Sequence, residues 1–231
     1  MKKHAFLLGL SLLSSTVLAD NYNTQVDFDY LTVDDFDIIK LEGTYYFDSV
    51  TTDNTAWAEA AFMGRNNSAS VSYLDFDGAA YALTLGGDYF YNDIFVGLDV
   101  TYTDTDYGSS DTNVSGEVGY FFAQNWLVSI SGNDEDFSDS LALNTKYIAT
   151  LADEAFINLE ASFLNDDNDF TAAADYYWTA QSSVGVDLST EDGYNFGLSA
   201  QHFFTPAISA RLGYMSLDDD DAIVIGLSGR F

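Results

Sequence analysis

Residues 94–103 read IFVGLDVTYT, and the character of their side chains alternates at almost every step. Because successive side chains of a β-strand point to opposite faces, this stretch is predicted to be a strand with one apolar face. Ile94, Val96, Leu98, Val100 and Tyr102 lie on that face, and the smaller or more polar Gly97, Asp99, Thr101 and Thr103 lie with Phe95 on the other. Residues 223–231 repeat the pattern.

The same period of two recurs along the chain, interrupted by polar turns. It predicts about 14 strands, with about 12 as the alternative count because the first and third runs are the least regular. The runs are 25–33, 36–47, 56–66, 79–91, 94–104, 113–122, 126–133, 140–150, 155–164, 170–178, 183–190, 194–203, 207–216 and 222–231. The fold class is therefore all-β.

The N-terminus has the layout of a secretory signal peptide over residues 1–19. Two lysines precede an apolar run over 5–13, and Val17 and Ala19 supply the small residues expected before a cleavage site. The apolar run is too short to span a bilayer. Removal of the signal is expected to leave one β-domain over 20–231.

Composition excludes several classes of protein. The 231 residues carry a formal charge of −30, 16% aromatic residues and no cysteine. So many aromatic residues argue against a disordered chain, and so acidic a chain repels phosphates, so no nucleic-acid partner is expected. Neither a cofactor motif nor a metal-ligand spacing is present, and no cofactor or metal is predicted. Acidic runs such as 218–221 are expected in solvated loops, with calcium bridging to lipopolysaccharide as a minor hypothesis.

Alternating strands fit either a soluble β-sandwich or a membrane β-barrel. Connection lengths favour an antiparallel up-and-down barrel, since short turns such as 92–93 and 123–125 alternate with longer polar connections such as 104–112. From the fourth strand onward, the apolar faces carry no charged residue, as a surface in contact with lipid requires.

Aromatic side chains collect beside the short turns, where headgroup-level rings are expected in a membrane barrel. The predicted aromatic girdle consists of Trp57, Tyr89, Tyr91, Tyr120, Phe122, Trp126, Tyr176 and Trp178. A second ring at the opposite edge is predicted from Tyr102, Phe163, Phe170, Tyr194 and Tyr214.

The chain ends in alternating apolar residues followed by Phe231, which looks like the C-terminal assembly signal of outer-membrane barrels. With the signal peptide and the aromatic turns, the chain resembles the general porin family of marine gamma-proteobacteria. The resemblance implies an outer-membrane channel for passive diffusion of small hydrophilic solutes or ions. It also implies contact with outer-membrane lipid, lipopolysaccharide and the barrel-assembly machinery, and a possible homo-oligomer. No long constriction loop is evident, and 66–78 is the best candidate.

Strand parity predicts which charged side chains line the pore. They are Lys40, Glu42, Asp88, Asp99, Glu117, Lys146, Glu160, Asp175, Asp187, Arg211 and Arg230. Acids outnumber bases in this set, so mild cation selectivity is expected, unless the charges only pair across the wall.

Two other functions remain as alternatives. A non-conducting barrel with a structural or adhesive role is one, since Phe90, Phe95, Phe121, Tyr177 and Phe203 point inward by parity and can fill the lumen. A soluble secreted sandwich with a binding role is the other. An enzyme is not expected, because His202 is the single histidine after the signal and no serine partner is evident from spacing.

Overall fold

The structure, a computed structural model, describes residues 21–231 apart from 35, 107, 109, 136 and 166–168. Fourteen strands form one closed antiparallel barrel in which each strand pairs with its neighbours in sequence, and β1 pairs with β14. The strands are β1 Asn21–Val33, β2 Phe36–Thr51, β3 Ser68–Phe76, β4 Ala80–Tyr91, β5 Ile94–Thr105, β6 Asp111–Ala123, β7 Trp126–Asn133, β8 Ala142–Thr150, β9 Phe156–Leu164, β10 Phe170–Thr179, β11 Ser182–Ser189, β12 Tyr194–Thr205, β13 Ile208–Leu217 and β14 Asp221–Arg230.

The alternation of side chains becomes an apolar exterior and a polar interior. Leu85, Leu98 and Leu212 are each more than half exposed on the outer surface. The opposite faces of the strands carry most of the polar and charged side chains. A closed barrel has no free strand edge and no second sheet, so the all-β barrel is confirmed and the sandwich alternative is wrong. The predicted signal peptide lies outside the described residues.

The seam of the barrel joins β1 to β14 in continuous register from Gln25–Arg230 to Val33–Ala222. Beyond it, the Phe231 carbonyl accepts hydrogen bonds from the backbone N–H groups of Asn23 and Thr24, at 2.8 and 3.0 Å. Phe231 N–H donates to the Thr24 carbonyl at 2.8 Å. Phe231, the predicted assembly signal, therefore extends the seam.

The two ends of the barrel differ. The end that holds Asn21 and Phe231, here called the terminal end, has short connections such as 92–93, 124–125 and 206–207. The other end, here called the loop end, carries connections that include 106–110 and 134–141. The predicted contrast in connection length is present for most of the barrel, although 34–35 at the loop end is also short and the longest connection, 52–67, lies at the terminal end.

The prediction of a third strand over 56–66 is wrong. Residues 57–59 form a 3₁₀ turn and Ala60–Gly64 form a short helix, α1, while the third strand is β3 at 68–76. The total of fourteen is kept because β3 occupies the stretch that had been the candidate constriction loop. No helix within the described ranges is long and apolar enough to cross a membrane.

Candidate functional site

Residues 52–67 connect β2 to β3 at the terminal end and fold into the barrel; they are here called the inward segment. Ala56 is fully buried against Phe156 of β9 and Tyr177 of β10. Ala60 packs against Tyr22 of β1 and against β2. Contacts with walls on opposite sides of the barrel mean that the segment crosses the lumen. The constriction is therefore made by 52–67 at the terminal end, and the prediction of 66–78 is wrong.

Glu59 is the acidic side chain at the centre of the inward segment, and it is only 7% exposed. Its Oε1 atom accepts a hydrogen bond from the Tyr177 hydroxyl at 2.8 Å. Its Oε2 atom lies 2.9 Å from Lys146 Nζ, which also lies 2.7 Å from Glu160 Oε1. Burying a carboxylate requires such compensation, because an unpaired charge is costly to desolvate.

Aromatic rings hold the α1 end of the inward segment. The Phe62 ring packs on Phe121 with centroids 5.4 Å apart, and Phe90 lies 5.1 Å from Phe95 and 6.0 Å from Phe121. The Lys146 ammonium lies 5.1 Å from the Phe62 centroid. The inward rings predicted to fill the lumen therefore do pack there, and they do so against this segment.

Arg65 ends α1 in the left-handed conformation, with a φ of 50°. This backbone directs the side chain to the neighbouring short turn, where Nη1 donates to the Asn92 carbonyl at 2.7 Å and pairs with Asp93 at 2.9 Å. The guanidinium also lies 4.1 Å from the centroid of the Phe121 ring. Arg65 thus ties the segment to the rim.

Arg230 holds the other end of the inward segment. It is 5% exposed, and its Nη1 donates to the Trp57 carbonyl at 2.9 Å while Nε donates to Gln25 Oε1 at 2.8 Å. The Trp57 ring meets the buried Phe203 edge to face at 5.8 Å. Trp57 therefore lies inside the terminal end, and its assignment to the aromatic girdle beside the short turns is wrong, because it belongs to the inward segment and not to a strand.

The other predicted pore-lining charges lie on inward faces, as parity predicts. Six of the acids sit directly across from a glycine on an adjacent strand: Asp88 and Glu117 from Gly97, Asp99 from Gly86, Asp175 from Gly185, Asp187 from Gly197, and Asp29, which was not predicted, from Gly226. A Cβ on Gly86 would collide with the Asp99 carboxylate. The glycines let these carboxylates lie along the wall, which leaves more of the lumen open.

All four predicted lumen bases have acceptors. Lys40 pairs with Glu42 at 2.6 Å, and Arg211 pairs with Asp29 at 2.6 Å. Lys146 and Arg230 are engaged with the inward segment as described above. The acids are less completely neutralised: Glu117 accepts from Ser129, Asp175 from Asn158 and Asp187 from Tyr194, all without a salt bridge in the described part of the chain.

The inward segment leaves open space on two sides. The larger cavity, about 800 Å³, extends from Phe62 on the segment to Glu191 and Tyr194 near the loop end, and Asp88 and Glu117 line it. A smaller cavity of about 290 Å³ lies between Ala58 and the wall that carries Lys40, Arg211 and Arg230. The charged residues that line the larger cavity are thus mostly acids, whereas the smaller cavity has equal numbers of acids and bases.

The remaining girdle residues lie outside the barrel near the terminal end. Their exposed fractions run from 43% for Trp126 to 62% for Phe122. The set is Tyr89, Tyr91, Tyr120, Phe122, Trp126, Tyr176 and Trp178. At the loop end, the prediction for Tyr194 is wrong, because its hydroxyl bonds to the inward-facing Asp187 and its ring lines the larger cavity.

His202 lies on the outer face, beside Phe204, with its ring centroid 5.1 Å away. Its Nδ1 atom lies 2.8 Å from the Ser182 hydroxyl across the strand pair. Both residues belong to regular strands and face away from the cavities. Within the described residues, no group of three or more potential ligands is placed to hold a metal ion.

Sequence reasoning missed Glu59, Arg65, Asp27, Asp29 and Glu191 as functional candidates. Strand parity alone identifies Asp29 as an inward-facing residue, because its neighbours Phe28 and Tyr30 both lie on the apolar face. The signal for the inward segment is its alanine content at 56–61, which favours a helix over a strand.

Comparison with known proteins adds the family context. The family model described as "Putative general bacterial porin" matches residues 1–139 and 131–231. The outer membrane protein Omp33 of Acinetobacter baumannii is similar in structure, with a TM-score of 0.80, 23% identity, and coverage of 91% of this chain and 99% of that one.

More distant likenesses include the KdgM porin, with a TM-score of 0.46, 10% identity, and coverage of 90% of this chain and 99% of that one. A Rhodopseudomonas blastica porin triple mutant has a TM-score of 0.47, also at 10% identity and with the same coverage of both chains. No curated protein sequence matches the chain.

Proposed function

This chain belongs to the general bacterial porin family, and we propose that it is a narrow, cation-selective outer-membrane channel for small hydrophilic solutes and ions. The larger cavity is the entrance from the loop end, and the inward segment sets the constriction. Solutes cross the channel by passive diffusion, which requires no catalytic group.

The charge balance of the lumen is the observation that carries the proposal. The described lumen adds Asp27, Asp29, Glu59 and Glu191 to the seven predicted acids, against the same four bases. Each base is engaged by a protein acceptor, whereas Asp88 and Glu117 accept from the Ser68 and Ser129 hydroxyls and pair with no cation among the described residues. Carboxylates in a narrow, partly desolvated space lower the free energy of cations there and raise that of anions.

The environment follows from the same proposal. The aromatic girdle at the terminal end contacts lipid headgroups of the inner leaflet, and the loop end faces lipopolysaccharide. Phe231 acts as the signal read by the barrel-assembly machinery, and self-association in the membrane remains part of the proposal. A detergent-free preparation that stays monodisperse in water would contradict this placement.

Reversal potentials across planar bilayers test the selectivity. The refolded mature protein in a KCl gradient is expected to pass K⁺ in preference to Cl⁻, and Asp88→Asn combined with Asp99→Asn should move the reversal potential towards zero. Glu154→Gln, in an exposed short turn between β8 and β9, is the matched control and should leave it unchanged. Anion preference in the unsubstituted protein would overturn the proposal.

A non-conducting barrel is the second candidate, and the inward segment is the observation that favours it. The segment contacts strands on all sides of the terminal end, including β1, β8, β10 and β14. Absence of any current from correctly folded protein in the same bilayers, at every voltage tried, would favour this candidate over the channel.

A further inference from the structure

We propose that Glu59, Lys146 and Tyr177 form a latch that positions the inward segment across the lumen, and that release of this latch widens the channel. The three side chains are here called the Glu59 latch. The effect on conductance rests on the proposed channel function, whereas the effect on the position of the segment does not.

The Glu59 latch uses both oxygens of one buried carboxylate. Tyr177 donates to Oε1 at 2.8 Å from β10, and Lys146 approaches Oε2 to 2.9 Å from β8. Hydrogen bonds and ion pairs to a buried charged group are among the stronger side-chain interactions, so this contact restrains the centre of the segment more than a neutral contact does.

Among the other polar anchors, Arg65 uses its charged side chain, but it holds the α1 end of the segment to the rim at Asp93. Arg230 binds the main-chain carbonyl of Trp57, which a residue of any type supplies. Asn66 Nδ2 binds the carbonyl of Asp48, and Phe47 N–H binds the carbonyl of Asn67, both close to where the segment joins β2 and β3. At the centre of the segment, Trp57 N–H binds the Ala180 carbonyl at 2.8 Å, and Glu59 adds the charged side-chain anchor to the far wall.

The partners of Glu59 also permit its release. Lys146 remains paired when Glu59 leaves, because Glu160 Oε1 lies 2.7 Å from the same ammonium. Departure of Glu59 therefore leaves Lys146 paired, and the freed carboxylate enters the open space of the larger cavity, which Lys146 and Glu160 line. Glu160 and Asp175, which accept hydrogen bonds from Asn158, repel a second carboxylate, so among the described residues of this wall the segment has one strong docking position.

Two variants separate the latch from general packing. Glu59→Gln removes the charge and keeps the shape, and Tyr177→Phe removes one hydroxyl and keeps the ring. Asp53→Asn is the matched control, since Asp53 lies in the same segment, is exposed and loses the same charge. Heat-modifiable migration on gels establishes that each barrel is folded.

Thiol labelling measures the position of the segment without any current. The chain has no cysteine, so Ala60→Cys, at a site 1% exposed against Tyr22 and Val50, gives one buried reporter. A water-soluble maleimide should label it at least about tenfold faster with Glu59→Gln or Tyr177→Phe, since bonds to charged groups contribute on that order. Asp53→Asn should not change the rate.

Conductance separates the two proposals. Faster labelling together with larger unitary currents in Glu59→Gln supports both. Faster labelling without current in any protein overturns the channel and keeps the latch. Equal labelling rates in Glu59→Gln, Tyr177→Phe and the unsubstituted background overturn the latch, whatever the currents are. The double variant should not exceed Glu59→Gln alone, because Tyr177 acts through Glu59.

Discussion

Arg211 Nη2 lies 2.6 Å from Asp29 Oδ1, although 182 residues separate the two in sequence. They belong to β13 and β1, which flank β14, so the pair spans the seam on the inner surface. Both side chains are partly exposed, at 46% and 22%, and they line the smaller cavity. The pair therefore neutralises one lumen base at little structural cost.

Replacement of Arg211 by Gln is expected to affect selectivity more than stability. Exposed ion pairs contribute about 1 kcal/mol or less, so the free energy of unfolding should change by no more than that. Asp29 loses its cation, so the reversal potential in a KCl gradient should become more cation-selective. A loss of several kcal/mol in urea unfolding, or a shift towards anions, would contradict this expectation.

Replacement of Arg230 by Met is expected to destabilise the barrel. It leaves the Gln25 and Trp57 acceptors without their donor in a site where the side chain is 5% exposed, which costs about 1–3 kcal/mol. Urea unfolding in lipid vesicles, followed by tryptophan fluorescence, measures the change. Arg211→Met is the matched control at a partly exposed arginine and should cost much less. Equal stabilities of the two variants would count against the role given to Arg230.

Replacement of Gly86 by Ala is expected to narrow the channel. The new Cβ would collide with the Asp99 carboxylate and approach Ser70 Oγ to 2.9 Å, so Asp99 must turn into the lumen. Unitary conductance should fall, and adding Asp99→Ala should restore it. The control is Gly116→Ala, where a Cβ meets nothing closer than 3.9 Å. A conductance unchanged by Gly86→Ala would show that the glycine does not set the position of the acid.

Replacement of Asp220 by Asn is expected to stabilise the loop end at neutral pH. The hydrogen bond to Asp34 and the charge of that residue raise the pKa of Asp220 in the 218–220 connection. The folded state then binds a proton more readily than the unfolded state, so the unsubstituted protein gains stability as pH falls through this raised pKa. An Asn at position 220 can hydrogen-bond to Asp34 without charge repulsion at every pH.

Thermal unfolding as a function of pH measures the Asp220 effect. The advantage of Asp220→Asn should be largest near neutral pH and should shrink as the solution becomes acidic. Asp192→Asn, on the exposed 190–193 connection at the same end, is the control for a general reduction of negative charge. An advantage that is independent of pH would contradict the assignment.

The strands were predictable because the alternation of apolar and polar side chains is present within each strand. The apolar positions of β5 are set by the exterior they face, and no distant partner has to be known to find them. The same local rule placed Lys40, Asp99 and Arg211 on the inner surface. The added residues at the ends of β1 and β2 come from pairing between those strands, which extends regular structure into polar stretches such as 48–51.

The inward segment was not predictable by the same reasoning, because its contacts are distant in sequence. Tyr177 lies 118 residues from Glu59, and neither residue signals the other. Burial of Glu59 depends on the Lys146 ammonium on a third element. Local spacing cannot show that a short alanine-rich stretch will turn inward when the surrounding wall supplies rings and a cation to receive it.

The seam between β1 and β14 has a consequence for the order of folding. Gln25 and Arg230 lie 205 residues apart, and Arg230 also contacts Trp57. The barrel therefore cannot close until β14 has been synthesised, and the inward segment cannot dock at Trp57 before then. Such non-local closure is slow, and earlier intermediates expose the unpaired edge of β1. The nascent polypeptide therefore needs protection from aggregation throughout its export.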